Sequence, residues 1–405
     1  MGKLKLFEAV GVELEYMIVD SETLKVKPIA DELIKTQTGD YTSDVERGEI
    51  AWSNELVSHV IELKTNGPAK NTRSLARIFH EEVVFINDLL KPFGAKLLPT
   101  GAHPFFDPAE AVIWPHEYNE VYALYDKIFG CKGHGWSNLQ STHINLPFDG
   151  DEEFAKLHAA IRLLLPIIPA LAASTPVIDG RISGLIDTRL EFYRKNQQKI
   201  PVIAGMIIPE EVYTQSDYES EIFAPIIEAI SVYDTDRVLE KYFLNSRGAI
   251  ARFDRGAIEI RLIDIQECPL ADVAIVDLIT ASLKWLIHEH EQHPALYRPC
   301  PLEELHEVFV KCIHNGSAAL VENTGYLELF GLKHPAQAFE IWASLFEKTF
   351  DGLTDQSASA IRIMLAHGNL SERILKKLPR NPQRQDVELI YHRLSECLNS
   401  NCMFL

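Results

Sequence analysis

Apolar and polar positions alternate along residues 10–19 (VGVELEYMIV) as a half-buried strand requires. Val10, Val12, Leu14, Tyr16 and Ile18 fall on one face, and Gly11, Glu13, Glu15, Met17 and Val19 on the other. The same period of two recurs at 55–65, which ends at Asn66-Gly67-Pro68, at 141–148, and within 257–263. Residues 95–100 predict a further short strand, and the loop after it runs through Glu117 with His103 and His116 as ordinary polar residues. Residues 20–54 read as turn, short helix and loop. Helical spacing marks 70–92, through Leu75, Ile78, Phe79, Val83, Ile86, Leu89 and Leu90, and also 271–290. Residues 149–153 open a long apolar helix that runs to about residue 173 and is interrupted at Pro166 and Pro169. From about residue 300 the chain reads as successive helices, broken near Asn315-Gly316, His334-Pro335, Asp351-Gly352 and Arg380-Asn381-Pro382.

The polar faces of these strands carry the candidate chemistry. Glu13 and Glu15 point the same way, ~6.6 Å apart along the strand. At an effective dielectric of ~20, two such charges ~5–7 Å apart repel by about 2–3 kcal/mol, which a cation between them would relieve. On 55–65, strict alternation puts Glu62 with Ser58, Val60 and Lys64, and Glu55 with His59 on the opposite face. A bulge near Ser58, or a strand that starts later, returns Glu55 to the Glu62 side. His143 and Asn145 share one face of their strand, as do Glu259 and Arg261. Carboxylates with a single imidazole suit magnesium or manganese rather than zinc. Residues 181–199 gather Arg181, Arg189, Arg194, Lys195 and Lys199, either a solvated loop or a clamp for a carboxylate or phosphate.

Composition narrows the partners. The 405 residues carry 58 acidic and 39 basic side chains, a net charge of −19, which disfavours nucleic acid and anionic membrane. It leaves nucleotides open, because a divalent cation inverts the local field. Six cysteines are scattered without a CxxC pair, so neither a zinc site nor a disulfide framework is indicated, and Cys312 and His314 read as structural. The longest apolar run, 163–173, is short for a bilayer and holds two prolines, and the basic N-terminus leads straight into a strand. These features predict a cytoplasmic protein with no membrane partner.

The segments GVELEY, ELVSHVIELKTNGP, THINLPF and GAIEIRLID, with the DGR at Asp179–Arg181, resemble those of the glutamate–cysteine ligase type 2, or carboxylate–amine ligase, family of the glutamine synthetase superfamily. The resemblance covers roughly residues 7 to 290. It implies an α+β fold in which an open, curved, mainly antiparallel sheet forms half a funnel with helices packed outside. Residues 1–300 would form the catalytic domain, and 301–405 a helical region packed on it. By resemblance, Glu13, His143 and Glu259 hold the metal nearest the ATP phosphates, and Glu15, Glu62 and Glu55 the metal nearer the amino acid. Two or three Mg²⁺ or Mn²⁺ ions are implied. Arg261 and Glu259 would be catalytic, and Arg181, Arg189, Arg252 and Asn145 would contact ATP or substrate. Leu14 stands where related motifs vary, and His59 where many have glutamine. The implied reaction joins glutamate, through an acyl phosphate made with ATP, to an amine acceptor such as cysteine. A phosphagen-kinase-like phosphoryl transferase and a silent metal- or nucleotide-binding homologue are the alternatives, and a homo-oligomer is left open.

Overall fold

The structure, a computed structural model, describes residues 3–290 and 300–405. Its centre is an open eight-stranded sheet in which every pairing is antiparallel. The strands are β1 (Gly11–Asp20), β2 (Asp44–Arg47), β3 (Ile50–Asn54), β4 (Val60–Thr65), β5 (Ala95–Leu98), β6 (Ser141–Pro147), a small separate hairpin β7 (Val177–Ile178) and β8 (Arg181–Ile182), then β9 (Ala249–Arg252) and β10 (Ala257–Asp264). The order is β2-β3-β4-β1-β6-β10-β9, with β5 beside the far half of β1. The ends β2 and β9 do not pair, so the sheet stays open. The register between β10 and β6 shifts at Ile260/Ile263, an irregularity of the kind that bends a strand.

The alternation of β1 has a direct structural meaning. Val12, Leu14, Tyr16 and Ile18 are fully buried in the main core, where Leu75–Leu90 and Pro269–His290 pack against each other. Thr142 of β6 ties that side to the long helix by donating to Asp272 Oδ1 (2.7 Å). On the opposite face, β1 changes character along its length. Glu13 and Glu15 come first; Met17 and Val19 then sit in a second apolar cluster with Leu370, Ile374, Val387 and Tyr391 of the C-terminal helices Leu370–Lys377 and Arg384–Ser400. Those helices cover the apolar end of this face, while at the acidic end Glu15, Glu62, His143 and Glu259 are buried among other parts of the fold.

Two sequence expectations are corrected here. Residues 20–54 hold the expected short helix, Ala30–Thr38, but also β2 and β3. Residues 55–65 are not one strand: β4 starts at Val60, and 55–59 form a turn held by Ser58 N donating to Val112 O (2.9 Å). The helices Gly150–Leu164 and Ile168–Ala172 flank a short 3₁₀ turn with its break at the prolines, as the sequence predicts. The stretch Gly150–Ala172 is apolar and long enough to cross a membrane by composition, yet 89% of its most apolar window is buried in the fold.

Candidate active site

Cross-strand register assembles the site. Glu15 faces Glu62 across β1 and β4, and Glu62 faces Ser53 across β4 and β3. On the next rung Glu13 lies between Lys64 and His143, and one rung further Asn145 of β6 lies between Gly11 and Glu259 of β10. Like charges directly opposite on a sheet are destabilising, so the Glu15–Glu62 rung needs compensation. Glu55 adds to the demand. The turn after β3 brings its carboxyl back, so that ligand atoms of Glu15, Glu55 and Glu62 all lie within 4.8 Å of one another. Glu13, Glu62 and His143 form a second such group.

Protein groups supply part of the compensation. Lys64 Nζ donates to Ser53 Oγ (2.7 Å) and lies 3.3 Å from Glu62 Oε1, while Ser53 Oγ donates to Glu62 Oε1 (2.6 Å). His143 Nδ1 lies 2.9 Å from Glu13 Oε2, and Asn145 Nδ2 donates to Glu13 Oε1 (2.9 Å). On the far side of the ring, His143 Nε2 meets Ser141 Oγ (2.8 Å), which in turn reaches Glu15 Oε2 (3.1 Å). A doubly protonated imidazole satisfies this chain throughout: each ring N–H donates, and the serine O–H passes on to Glu15. Arg261 Nε stands 2.7 Å from Glu259 Oε1, close in distance but off the hydrogen-bond axis.

The proton affinities follow from these placements. Burial alone would raise the Glu13 carboxyl, but the hydrogen bond and charge of His143, with Lys64 and Arg261, hold it down at about 2. His143 is pushed up: burial opposes its charge, and Glu13 and Glu15 outweigh burial. Glu62 is raised to about 7 by burial and then by the charge of Glu13, against Lys64 and Ser53. Glu55 goes well above the carboxylate range through burial and the charges of Glu15 and Glu62. Arg261 stays firmly protonated, since the charge of Glu259 overcomes burial. Five carboxylates thus face three cationic groups, Lys64, His143 and Arg261, and the imbalance raises the proton affinity of Glu55 and Glu62 in the metal-free cluster. This oxygen-rich set with one imidazole fits a hard divalent cation, which would compete with protons for the same oxygens.

The remaining predicted residues go elsewhere. Arg189 is buried with its guanidinium paired to Asp264, and its Nη2 reaches the Arg261 carbonyl (3.4 Å), so it braces the strand beneath the site. The expected clamp at 181–199 is therefore not one surface: Arg194 and Lys195 pair with Glu191, and Lys199 Nζ donates to the Ile128 carbonyl (2.7 Å). Arg181 lines a separate cavity of about 590 Å³ with Phe105, Asp179 and Arg384, in which none of the clustered acids takes part. Arg252 is held by Asp254 at the end of β9 (Nη2–Oδ2 3.0 Å). His103 is buried, with Nε2 at 2.8 Å from the Leu24 carbonyl, and His59 is buried against the Ser137 carbonyl, where burial lowers it to about 4. Sequence reasoning missed Ser53 and the compensating role of Lys64. The alternation of Ile50 and Trp52 inward with Ala51 and Ser53 outward was the available signal.

The sequence profile described as glutamate–cysteine ligase family 2 matches residues 9–310. A protein of Archaeoglobus fulgidus, named only "Uncharacterized protein", is 33% identical over 397 residues, 98% of this chain and 100% of that one. A protein of Rubrobacter xylanophilus named "Putative glutamate--cysteine ligase 2-3" is 27% identical over 198 residues; the match spans 45% of this chain and about half (48%) of that relative. Among solved structures, a glutamate–cysteine ligase from Francisella tularensis, in complex with AMP, superposes with a TM-score of 0.62 at 10% identity, covering 98% of this chain and 90% of that one, which shows a shared fold. With a profile match over three quarters of its length, the chain belongs to glutamate–cysteine ligase family 2.

Proposed function

We propose that the protein is an ATP-dependent carboxylate–amine ligase that activates the side-chain carboxylate of glutamate, or of a similar amino acid, and joins it to an amine as a γ-glutamyl amide. Family membership supports ligase chemistry of the carboxylate–amine type. The observation that carries the finer reading is the convergence of five carboxylates and one imidazole on one sheet face, with Arg261 among them. A carboxylate resists an amine because its oxygen is a poor leaving group and its charge repels attack. Transfer of the γ-phosphoryl group from ATP makes an acyl phosphate and ADP; the amine then forms the C–N bond and phosphate leaves. Bound Mg²⁺ or Mn²⁺, two or three ions, would neutralise phosphate charge in this step.

The chain's own residues do the rest. Glu15, Glu55 and Glu62 would hold one ion, and Glu13, His143 and Glu259 another. His143 would give up its proton and its bond to Glu13 to do so. Arg261, positioned by Glu259, would carry positive charge to the phosphoryl oxygens. The test is phosphate release from ATP with glutamate against a panel of amines, cysteine included, with products weighed by mass spectrometry. Amine-dependent phosphate release with one amide per phosphate is expected. A stable phosphorylated product would instead favour phosphoryl transfer of the phosphagen-kinase kind, and no release with any pair would leave a silent homologue.

A further inference from the structure

The C-terminal helix Arg384–Ser400 ends in a way that brings two cysteines together. Asn401 adopts the left-handed conformation (φ 50), Cys402 N donates back to the Cys397 carbonyl (3.1 Å), and Asn401 N to that of Leu398 (3.4 Å). This nested pair of bonds is the Schellman motif, in which the side chains three residues before the cap and two after it meet. Here those positions are Cys397 and Cys402, which the motif sets side by side, with Cys402 Sγ also 3.1 Å from Ser400 Oγ. Cys402 is exposed and Cys397 half-buried, whereas Cys131, Cys268, Cys300 and Cys312 are buried. Solvent therefore reaches this pair and not the other four.

We propose that Cys397 and Cys402 are a thiol-modification site that closes to a reversible disulfide on meeting a low-molecular-weight disulfide. Neither residue touches the acidic cluster, and both lie outside the stretch matched by the family profile, so this inference stands apart from the proposed ligase activity. Burial and the neighbouring Cys402 push the Cys397 thiol up to about 12, which leaves Cys402 as the attacking group. Its thiolate attacks one sulfur of R–S–S–R, forms Cys402–S–S–R and releases the first RSH. Cys397 then attacks the Cys402 sulfur, its proton leaving with the second RSH, so two thiols and one disulfide become one protein disulfide and two small thiols.

The bond would lock the turn from which the last residues depart. Asn401 Oδ1 accepts from Leu270 N (2.9 Å), Phe404 N donates to Glu267 Oε1 (3.2 Å), and the Phe404 carbonyl accepts from Arg373 Nη1 (2.7 Å), itself paired with buried Glu267. The tail is thereby keyed to the segment that follows β10.

Excess oxidised glutathione on the native full-length chain, followed by alkylation and peptide mass mapping, tests the site. In the wild type the peptide holding both residues should lose two hydrogens and carry no glutathione, and dithiothreitol should restore it. In Cys397→Ser, Cys402 should accumulate a stable glutathione adduct, because nothing resolves it; in Cys402→Ser, Cys397 should stay free. Three results each overturn the proposal: no oxidation, a wild-type adduct as abundant as that of Cys397→Ser, or Cys397 bonded to Cys268 instead.

Discussion

Replacing Glu62 by glutamine tests the charge balance of the site in the metal-free protein. Glu62 binds its proton more tightly in the fold than in the unfolded chain, about 7 against 4.5. A raised acid contributes stability that is fully present below the unfolded value and is lost as pH rises through the folded one. At about 1.4 kcal/mol per unit, ionising Glu62 costs the fold about 3 kcal/mol at pH 8 and about 2 kcal/mol at pH 6. Glutamine keeps an oxygen for the Ser53 hydroxyl and never ionises. Lys64 loses one partner but keeps Asp44 (3.1 Å) and Ser53. With an unfolding entropy of ~2.1 cal/mol/K per residue, Glu62→Gln should therefore melt about 3–4 °C above wild type at pH 8 in chelator, and the gap should narrow by about 1 °C at pH 6. Millimolar Mg²⁺ should reverse the order, because cation binding stabilises only the protein that holds its ligands. Scanning calorimetry in EDTA and in Mg²⁺ at both pH values decides this. A Glu62→Gln protein that melts at or below wild type in EDTA at pH 8 would refute the charge-balance argument.

Three further changes probe other parts of the assembly. Arg261→Lys keeps the charge but loses the planar fork, and should cut amine-dependent phosphate release at least ~100-fold with a much smaller change in the KM for ATP; near wild-type turnover removes Arg261 from the chemistry. Asp264→Asn leaves Arg189 buried without its counter-charge and should cost about 3 kcal/mol, read as a melting point lower by about 3–4 °C; an unchanged melting point would mean that Arg189 finds other partners. Arg181→Ala, at the exposed start of β8, should raise the KM for one anionic substrate several-fold without moving the melting point, and unchanged constants for both substrates make the cavity it lines irrelevant to turnover.

How much of this was legible in the sequence depends on the range of the interaction. The alternation of 10–19 gave both faces of β1, because burial of Val12, Leu14, Tyr16 and Ile18 is dictated by a period of two. It also put Glu13, Glu15, Glu62, His143, Asn145, Glu259 and Arg261 on polar faces, and the sheet places those faces side by side. Periodicity could not say which rung meets which, since register is set by pairing between distant segments. Glu55 shows the limit. Strict alternation sent it away from Glu62, and only the turn at 55–59, held by residue 112 across the chain, returns it. The basic stretch 181–199 stayed open between loop and clamp for a related reason: Arg189 answers to Asp264, a carboxylate 75 residues on, and charge density along the chain is silent about that. Family likeness supplied the expected roles; geometry supplied the partners.

The change of character along β1 links folding to the site. Its outer face runs from Glu13 and Glu15 to Met17 and Val19, and the C-terminal helices bury only the apolar half. The acidic half is itself drawn from water, with Glu15, Glu62 and Glu259 each 7% exposed, and five carboxylates there have three cationic groups to balance them, a cost of several kcal/mol per unpaired charge. What those cationic groups leave uncompensated raises the proton affinity of Glu55 and Glu62 in the metal-free state. A divalent cation and a proton compete for the same oxygens, so Mg²⁺ affinity should weaken steadily as pH falls from 8 to 6, with proton release on binding. Isothermal titration in two buffers of different ionisation enthalpy measures that release. A binding enthalpy independent of the buffer would mean that the cation enters a cluster already ionised, and that the balance is struck elsewhere.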